Sequence, residues 1–533
     1  MKKMLLLGDE AVAQAAIDAG LGGAFGYPGT PSTEVFEYLQ KYSEKTQSFP
    51  ARWAGNEKVA LEEALGMSFV GKKAIVTMKS VGINVAADPF MCSAITGVNG
   101  GLIVLVADDP GMHSSQNEQD ARYMADFARM PCYEPCDQQE CYDMTREAFE
   151  VSEKYRTPVL MRLVTRISHS RAPVMTAEPV KTDGALHLQA DTHNWILLPA
   201  IARRQFPLLL KKREELKKRS ANCKWNFAVR ANRSTDEKKG VICCGTAYNY
   251  FQEACARLGV ELDCLKLGFY PAAGEMIEHF IAGKKEILVL EDGYPYIEER
   301  ILGLCGVGPV VRGRTDGTAN ETGEMNPDNA IAALSKFTGR ALKTETYKTD
   351  IPQRPPMLCN GCPHGDTFRA LNAAMASRQP GSVFADIGCY TLGALKPYEA
   401  IHACVEMGAS VGMAKGAAMG GLKYSAAVIG DSTFEHSGLT SLLGAVTHKT
   451  PMTLLILDNS TTAMTGAQDS LANGDRLIAL IAGIGVEKEH IRIIKPLPRN
   501  HEANTAVIGE ELEYRGVSVI IAQRECIQIL GKK

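Results

Sequence analysis

Short apolar runs rich in β-branched residues recur along this chain, each separated from the next by a stretch of helical character. Residues 74–78, 102–107, 159–164, 241–244, 287–290, 383–387, 426–429, 452–457 and 517–522 are such runs. A strand with one wet face alternates apolar and polar side chains, whereas a continuous apolar strand has to be covered on both faces. Intervening helices supply that cover. The pattern therefore predicts an α/β protein made of several doubly wound parallel-sheet domains. The opening Met1-Lys2-Lys3-Met4-Leu5-Leu6-Leu7-Gly8 reads as a further strand, because its apolar core is too short for an export signal.

A chain of 533 residues suggests several domains. Residues 1–175 read as one α/β block, followed by a basic helical connector over 176–239 and a second block over 240–337. Residues 338–356 are polar and carry Pro352, Pro355 and Pro356, which marks a linker before a last block over 357–533. The basic run from Arg203 to Arg219 reads as a solvated helix face. A formal net charge of −3 gives no reason to expect nucleic acid or an anionic membrane as partner. No apolar run approaches the ~18 residues of a membrane span. The 15 cysteines are scattered, which without an export signal implies reduced thiols or metal ligands in a cytoplasm. Gly408, Gly412, Gly416 and Gly420 fall on one face of a predicted helix, a stripe that implies close packing.

Chemistry is concentrated where predicted strands end. Gly430-Asp431-Ser432 follows the strand over 426–429, and Asp458-Asn459-Ser460-Thr461 follows the strand over 452–457. Open α/β sheets bind ligands beyond the carboxyl ends of their strands. A carboxylate, an amide oxygen and a backbone carbonyl gathered there suit Mg²⁺ on a diphosphate. Two ordinary strand-end turns would look the same. Cys359-Asn360-Gly361-Cys362-Pro363-His364-Gly365 and Asp386-Ile387-Gly388-Cys389-Tyr390 offer three cysteines for an iron–sulfur cluster, or loops that only shape a phosphate site. Cys404 and Cys526 are candidates for a fourth ligand. Cys132, Cys136 and Cys141 match no metal spacing.

Taken together these motifs resemble the thiamine-diphosphate-dependent 2-oxoacid:ferredoxin oxidoreductases, and the large subunit of the indolepyruvate branch among them. The signature Gly430-Asp431-Ser432 with downstream Asn459 is similar to the family's thiamine motif, including the serine at 432, and the run from Asp458 to Gly466 extends the match. Gly26-Tyr27-Pro28-Gly29-Thr30-Pro31-Ser32, Asn56-Glu57-Lys58-Val59-Ala60, Val76-Thr77-Met78-Lys79 and the loop from Asp108 to Asp120 match as well. The likeness runs from Gly8 to about Cys526.

The resemblance implies a pyrimidine-binding domain, a transketolase-C-like domain and a diphosphate-binding domain, with thiamine between the first and last across a homodimer interface. It implies that Asp431, Asn459 and the Thr461 carbonyl hold Mg²⁺. Glu57, Met78, Lys79, Cys362, His364, Gly388, Cys389, Gly430, Asp431, Ser432, Asn459, Thr461, Met464 and Thr465 would line the cofactor. Glu57, Thr30 and His113 would be catalytic, and Ser114, Ser115 and Gln116 would meet the substrate. Glu57 would hydrogen-bond the aminopyrimidine ring, so that the ring itself can take the thiazolium C2 proton. The implied reaction is oxidative decarboxylation of an aryl 2-oxo acid such as indolepyruvate to an acyl-CoA. Electrons would pass to ferredoxin by way of a [4Fe-4S] cluster on Cys359, Cys362 and Cys389. A smaller oxidoreductase subunit, a ferredoxin or ferredoxin-like subunit and coenzyme A are the implied partners.

Two features depart from the family. The large subunit normally continues into a cysteine-rich ferredoxin-like tail, whereas this sequence stops at Gly531-Lys532-Lys533, so at most one cluster is expected here. Glu435 stands where relatives often carry an aromatic residue. A non-oxidative thiamine decarboxylase or carboligase is the alternative. A catalytically silent scaffold is opposed by the intact Glu57, Asp431 and Asn459.

Overall fold

The computed structural model describes residues 2–180, 185–189, 193–231, 234–304, 308–341 and 356–529. Most of the expected linker over 338–356, parts of the expected connector and the final Gly531-Lys532-Lys533 lie outside them. The chain forms two compact units, Met1–Tyr347 and Lys348–Lys533.

The first unit is built on two sheets. A seven-stranded sheet runs from edge to edge as Phe269–Tyr270, Cys132–Tyr133, Val159–Val164, Leu102–Asp108, Ala74–Lys79, Gly23–Gly26 and Ala51–Trp53. All neighbours are parallel except Phe269–Tyr270, which is antiparallel to Cys132–Tyr133. Every residue of Leu102–Asp108 is buried, as its unbroken apolar pattern requires. A five-stranded sheet follows in the order Val310–Arg312, Glu286–Leu290, Lys239–Cys244, Asp263–Leu267 and Phe227–Val229, the last strand antiparallel. The opening strand Lys2–Leu7 joins neither sheet. It pairs antiparallel with Arg171–Thr176.

Buried charge ties the two sheets together. Arg122 and Arg162 are fully buried. Arg122 donates to Asp120 at 2.5 Å and to Glu291, at the end of the five-stranded sheet, at 2.9 Å. Arg162 binds Asp108 at 2.6 Å and also Glu134, which accepts from the Tyr270 hydroxyl at 2.6 Å. Breaking one such pair strands an uncompensated charge, at a cost of about 3–5 kcal/mol. The basic helix Pro199–Asn222 is also less free than a solvated face: Arg213 pairs with Asp126 and Arg219 with Glu147.

The second unit holds one six-stranded, fully parallel sheet in the order Ala403–Cys404, Gly381–Ala385, Tyr424–Gly430, Met452–Asp458, Val517–Gln523 and Ile491–Ile494. The predicted strand over 383–387 stops at Ala385, because Asp386 turns its carboxylate inward to Ser410. The glycine stripe corrects an expectation. The helix spans only Ala409–Met419, with Gly408 (φ 89°) and Gly420 as its caps. A side chain at Gly408 would strike Ser437, but Gly412 and Gly416 are exposed and meet no close neighbour in this unit.

Candidate active site

In the second unit two adjacent strands deliver the strand-end motifs to one edge. Gly430, the last residue of Tyr424–Gly430, is in register with Leu457 of Met452–Asp458. Asp431 and Asn459 follow, and both are buried. The two loops are joined where the Thr462 hydroxyl donates to Ser432 Oγ at 2.8 Å. Asn459 Oδ1 accepts from the Thr461 amide at 3.1 Å, and its Nδ2 lies 3.4 Å from His364 Nε2. Thr461 and Thr462 pair with Gln468 and Asp469 in a short hairpin, closed by Thr465 Oγ1 donating to Gln468 Oε1 at 2.6 Å. Met464 at its tip is exposed.

Asp431 is the anomaly of this edge. One oxygen, Oδ2, is buried with no hydrogen-bond partner among the described residues. Burial pushes its carboxyl well above the usual range, and the neighbouring charge of Asp458 adds to the shift. A desolvated carboxylate oxygen left unpaired is costly. A divalent cation on oxygen ligands would satisfy it. His364 is kept neutral beside Asn459, burial lowering its pKa to about 4. It therefore puts no competing positive charge there.

The floor of the edge is shaped by Tyr390. A side chain at Gly430 would come within 2.8 Å of its ring, and one at Gly388 would also collide with it. The Tyr390 hydroxyl and Ser410 both donate to Asp386, whose pKa burial raises to about 7. Cys359, Cys362 and Cys389 lie near enough for their charges to act on one another. Cys526 joins them: its charge and that of Cys362 both act on Cys389, whose pKa burial raises to about 11. Its amide binds the Asn459 carbonyl at 3.1 Å. Cys404 is affected instead by Asp386 and Thr391. Cys132, Cys136 and Cys141 are buried thiols of the first unit's core.

In the first unit Asn56 caps the helix Glu57–Phe69 by accepting from the Val59 amide at 2.9 Å, which fixes Glu57 in the first turn. Glu57 is buried, and a Cβ on Gly82 would lie 2.5 Å from its Oε1, so only glycine lets that backbone pass. Met78 is buried in the apolar core, while Lys79 turns outward. Lys79 Nζ donates to the Ser114 carbonyl at 2.5 Å, and burial lowers its pKa to about 8 against the raising effect of Asp109. Ser114 Oγ donates to the Thr30 carbonyl at 3.2 Å, so the two loops named in the sequence do meet.

Asp109 organises this corner, although the motifs gave it no role. It accepts from the Ser114 amide at 2.7 Å, from Ser115 at 2.8 Å and from Thr165 at 2.8 Å. Burial raises its pKa, but those donors outweigh burial and leave it below the usual range. His113 is exposed and stands 3.4 Å from Glu324, which also pairs with Arg166. Gln116 is exposed. Glu435 was noticed only as a departure. It accepts from Ser470 Oγ at 2.5 Å and the Leu471 amide at 3.0 Å, and so holds the loop after the hairpin.

Comparison with known proteins places the chain in a family. The thiamine-diphosphate-binding family of pyruvate flavodoxin/ferredoxin oxidoreductases matches residues 14–194, and the C-terminal TPP-binding domain of thiamine pyrophosphate enzymes matches residues 386–494. Indolepyruvate oxidoreductase subunit IorA of Methanothermobacter thermautotrophicus is 38% identical over 99% of this chain and 88% of its own. The protein of that name from Archaeoglobus fulgidus is 36% identical over 98% of this chain and 86% of its own. Among solved structures, 2-oxoglutarate:ferredoxin oxidoreductase from Magnetococcus marinus aligns with a TM-score of 0.51 at 16% identity, covering 63% of this chain and 65% of that one. The α/β fold predicted from the strand pattern is thus shared.

Proposed function

Because the chain belongs to the family of indolepyruvate oxidoreductase subunit IorA, we propose that it is the subunit that oxidatively decarboxylates an aryl 2-oxo acid, such as indolepyruvate, to an acyl-CoA. The observation that carries this reading is the unpaired, buried Asp431 Oδ2 at the strand edge shared with Asn459, inside the matched TPP-binding domain. Thiamine diphosphate, when bound, supplies the nucleophilic carbon and the electron sink.

The chain's residues do the rest. Asp431, Asn459 and the Thr461 carbonyl would hold Mg²⁺ on the diphosphate, with Gly430 and Ser432 beside them. His364, Gly388, Cys389, Met464 and Thr465 border the same cofactor. Glu57, held by its cap against Gly82, keeps a carboxylate for the pyrimidine N1′ and favours the tautomer that can accept a proton. Lys79, pinned across the Thr30 and Ser114 loops, offers a cation to the substrate carboxylate. Thr30, His113, Ser115 and Gln116 border the side chain of the 2-oxo acid.

Cys359, Cys362 and Cys389, with Cys526 as the fourth thiol, would hold a [4Fe-4S] cluster, which supplies one-electron transfer when bound. Passage onward to ferredoxin calls for a smaller partner subunit, and this chain pairs with a second copy. Among the described residues no helix is long and apolar enough to cross a membrane, and the cysteines are free thiols, which suits a cytoplasmic enzyme. The non-oxidative alternative is not favoured, since the relatives matched along nearly the whole chain are named oxidoreductases. The test is anaerobic turnover of the purified complex with indolepyruvate, coenzyme A and ferredoxin. Indoleacetyl-CoA formed together with reduced ferredoxin is expected. Release of indoleacetaldehyde whether or not coenzyme A and ferredoxin are present would reject the oxidative reading.

A further inference from the structure

Asp9, Glu34 and His169 have no part in the chemistry above, yet the fold gathers them. Asp9 lies in the first turn of helix Gly8–Asp18, Glu34 in the first turn of Thr33–Thr46, and His169 ends Thr165–His169. One ligand atom from each lies within 4.8 Å of the other two. Among the described residues this is the group of three carboxylate, imidazole or thiol side chains close enough to share an ion.

A second observation points to a ligand. Asp9 is fully buried, and neither of its oxygens has a hydrogen-bond partner among the described residues. The Ser168 hydroxyl lies beside it and favours its charged form, yet it makes no well-formed hydrogen bond to either oxygen. Glu34 Oε2 is buried and unpartnered as well, while Oε1 stands 3.5 Å from His169 Nε2. The charges acting on Asp9 are chiefly those of Glu34, His169 and Glu10, and those acting on His169 include Asp109. The surroundings are acidic, and three buried carboxylate oxygens make no well-formed hydrogen bond among the described residues.

We propose that Asp9, Glu34 and His169 bind one divalent transition-metal ion, for which zinc matches the donor set best. Two carboxylates and an imidazole favour zinc over magnesium or calcium, because the nitrogen donor selects the softer ion. Donors about 2.0–2.2 Å from one zinc ion sit roughly 3.5 Å apart, the separation already present between Glu34 Oε1 and His169 Nε2. Their side chains are 38% and 36% exposed, which leaves the fourth position open to water. The ion would pin helix Thr33–Thr46, and with it the Gly29 to Ser32 turn, onto the start of the chain.

Cobalt(II) reports the ligands directly. The probe is Co²⁺ at micromolar concentration added to the purified, chelator-treated holoenzyme, read by visible absorption and by metal content. The expected result is one equivalent of cobalt more than Asp9→Asn or His169→Gln takes up, with weak visible bands of an oxygen and nitrogen site that both variants lose. The bands should persist in Asp431→Ala and in Cys362→Ala, which separates this site from the diphosphate edge and from the thiols. Because His169 is partly exposed, His169→Gln serves even if Asp9→Asn fails to fold, and circular dichroism checks both. Absence of cobalt uptake by the wild type would overturn the proposal and leave Asp9 as a protonated buried acid. Uptake unchanged in either variant, or accompanied by a sulfur-to-cobalt charge-transfer band, would also overturn it.

Discussion

The Asp431 edge and the Glu57 corner are unlike in how their polar groups are satisfied. At Asp431 a buried carboxylate oxygen stands unpaired, beside a histidine held neutral by burial. Around Lys79 the charged groups are engaged by their own loops: Asp109 takes three close donors and Lys79 is held by Ser114. The first region leaves one buried carboxylate oxygen unsatisfied, as a cation site would. The second is already assembled and presents its groups. On the proposed function, binding energy for the cofactor would fall to the diphosphate edge, and activation and substrate choice to the glutamate corner.

Asp431→Ala tests that division with the largest effect. Losing a charged metal ligand should weaken thiamine-diphosphate binding by about 1,000-fold or more, measured by calorimetric titration, in line with a lost charge–metal contact of several kcal/mol. The apoprotein should be no less heat-stable, since an unpaired buried acid has been removed. Normal cofactor retention in that variant would undo the site assignment.

Glu57→Gln should lower kcat by roughly 10²–10⁴, the usual weight of positioned acid–base assistance, while KM changes little. A fall in cofactor affinity with kcat preserved would reverse the roles of the two regions.

Asp109→Asn removes a charged acceptor from three donors, contacts of about 1.5–3 kcal/mol each when intact, part of which the amide oxygen keeps. KM for the 2-oxo acid should rise about tenfold with thiamine content unchanged. Steady-state kinetics beside a cofactor assay decides it.

The smallest effect concerns pH. Lys79 has a folded pKa of about 8, below the unfolded value, so it is a cation below pH 8 and neutral above. KM for the anionic substrate should climb a few-fold as pH passes through 8, and Lys79→Met should abolish that inflection. In stability the sign runs the other way: forcing the charge onto a desolvated lysine is unfavourable below pH 8, and the penalty is relieved as pH rises from about 8 towards the unfolded value. A wild-type KM flat from pH 7 to 9 would remove Lys79 from substrate binding.

The parallel sheets were legible because their strands are apolar throughout: Val159–Val164 spans the predicted run, and Leu102–Asp108 and Met452–Asp458 extend theirs by one residue. Asp431 and Asn459 were legible because each follows such a strand directly, and two adjacent parallel strands must bring their ends together. What stayed hidden depends on tertiary contact. Nothing local sets Cys526 above Cys404, the other candidate companion of Cys389, or marks Asp109 as the hub of Ser114, Ser115 and Thr165. Asp9, Glu34 and His169 come from three separate helices. Met78, named among cofactor residues from its motif, has a side chain in the core, where strand alternation sends it opposite to Lys79. The glycine stripe misled because equal spacing on a helix shows a bare face without showing what covers it.

The division between the two regions comes down to one experiment on Glu57→Gln loaded with thiamine diphosphate. Hydrogen–deuterium exchange at the thiamine C2 position is measured by NMR, with bound cofactor per chain determined on the same samples. The account predicts wild-type cofactor content together with C2 exchange slowed by about 100-fold or more. Unchanged exchange at full occupancy, or slow exchange explained wholly by lost cofactor, would contradict it.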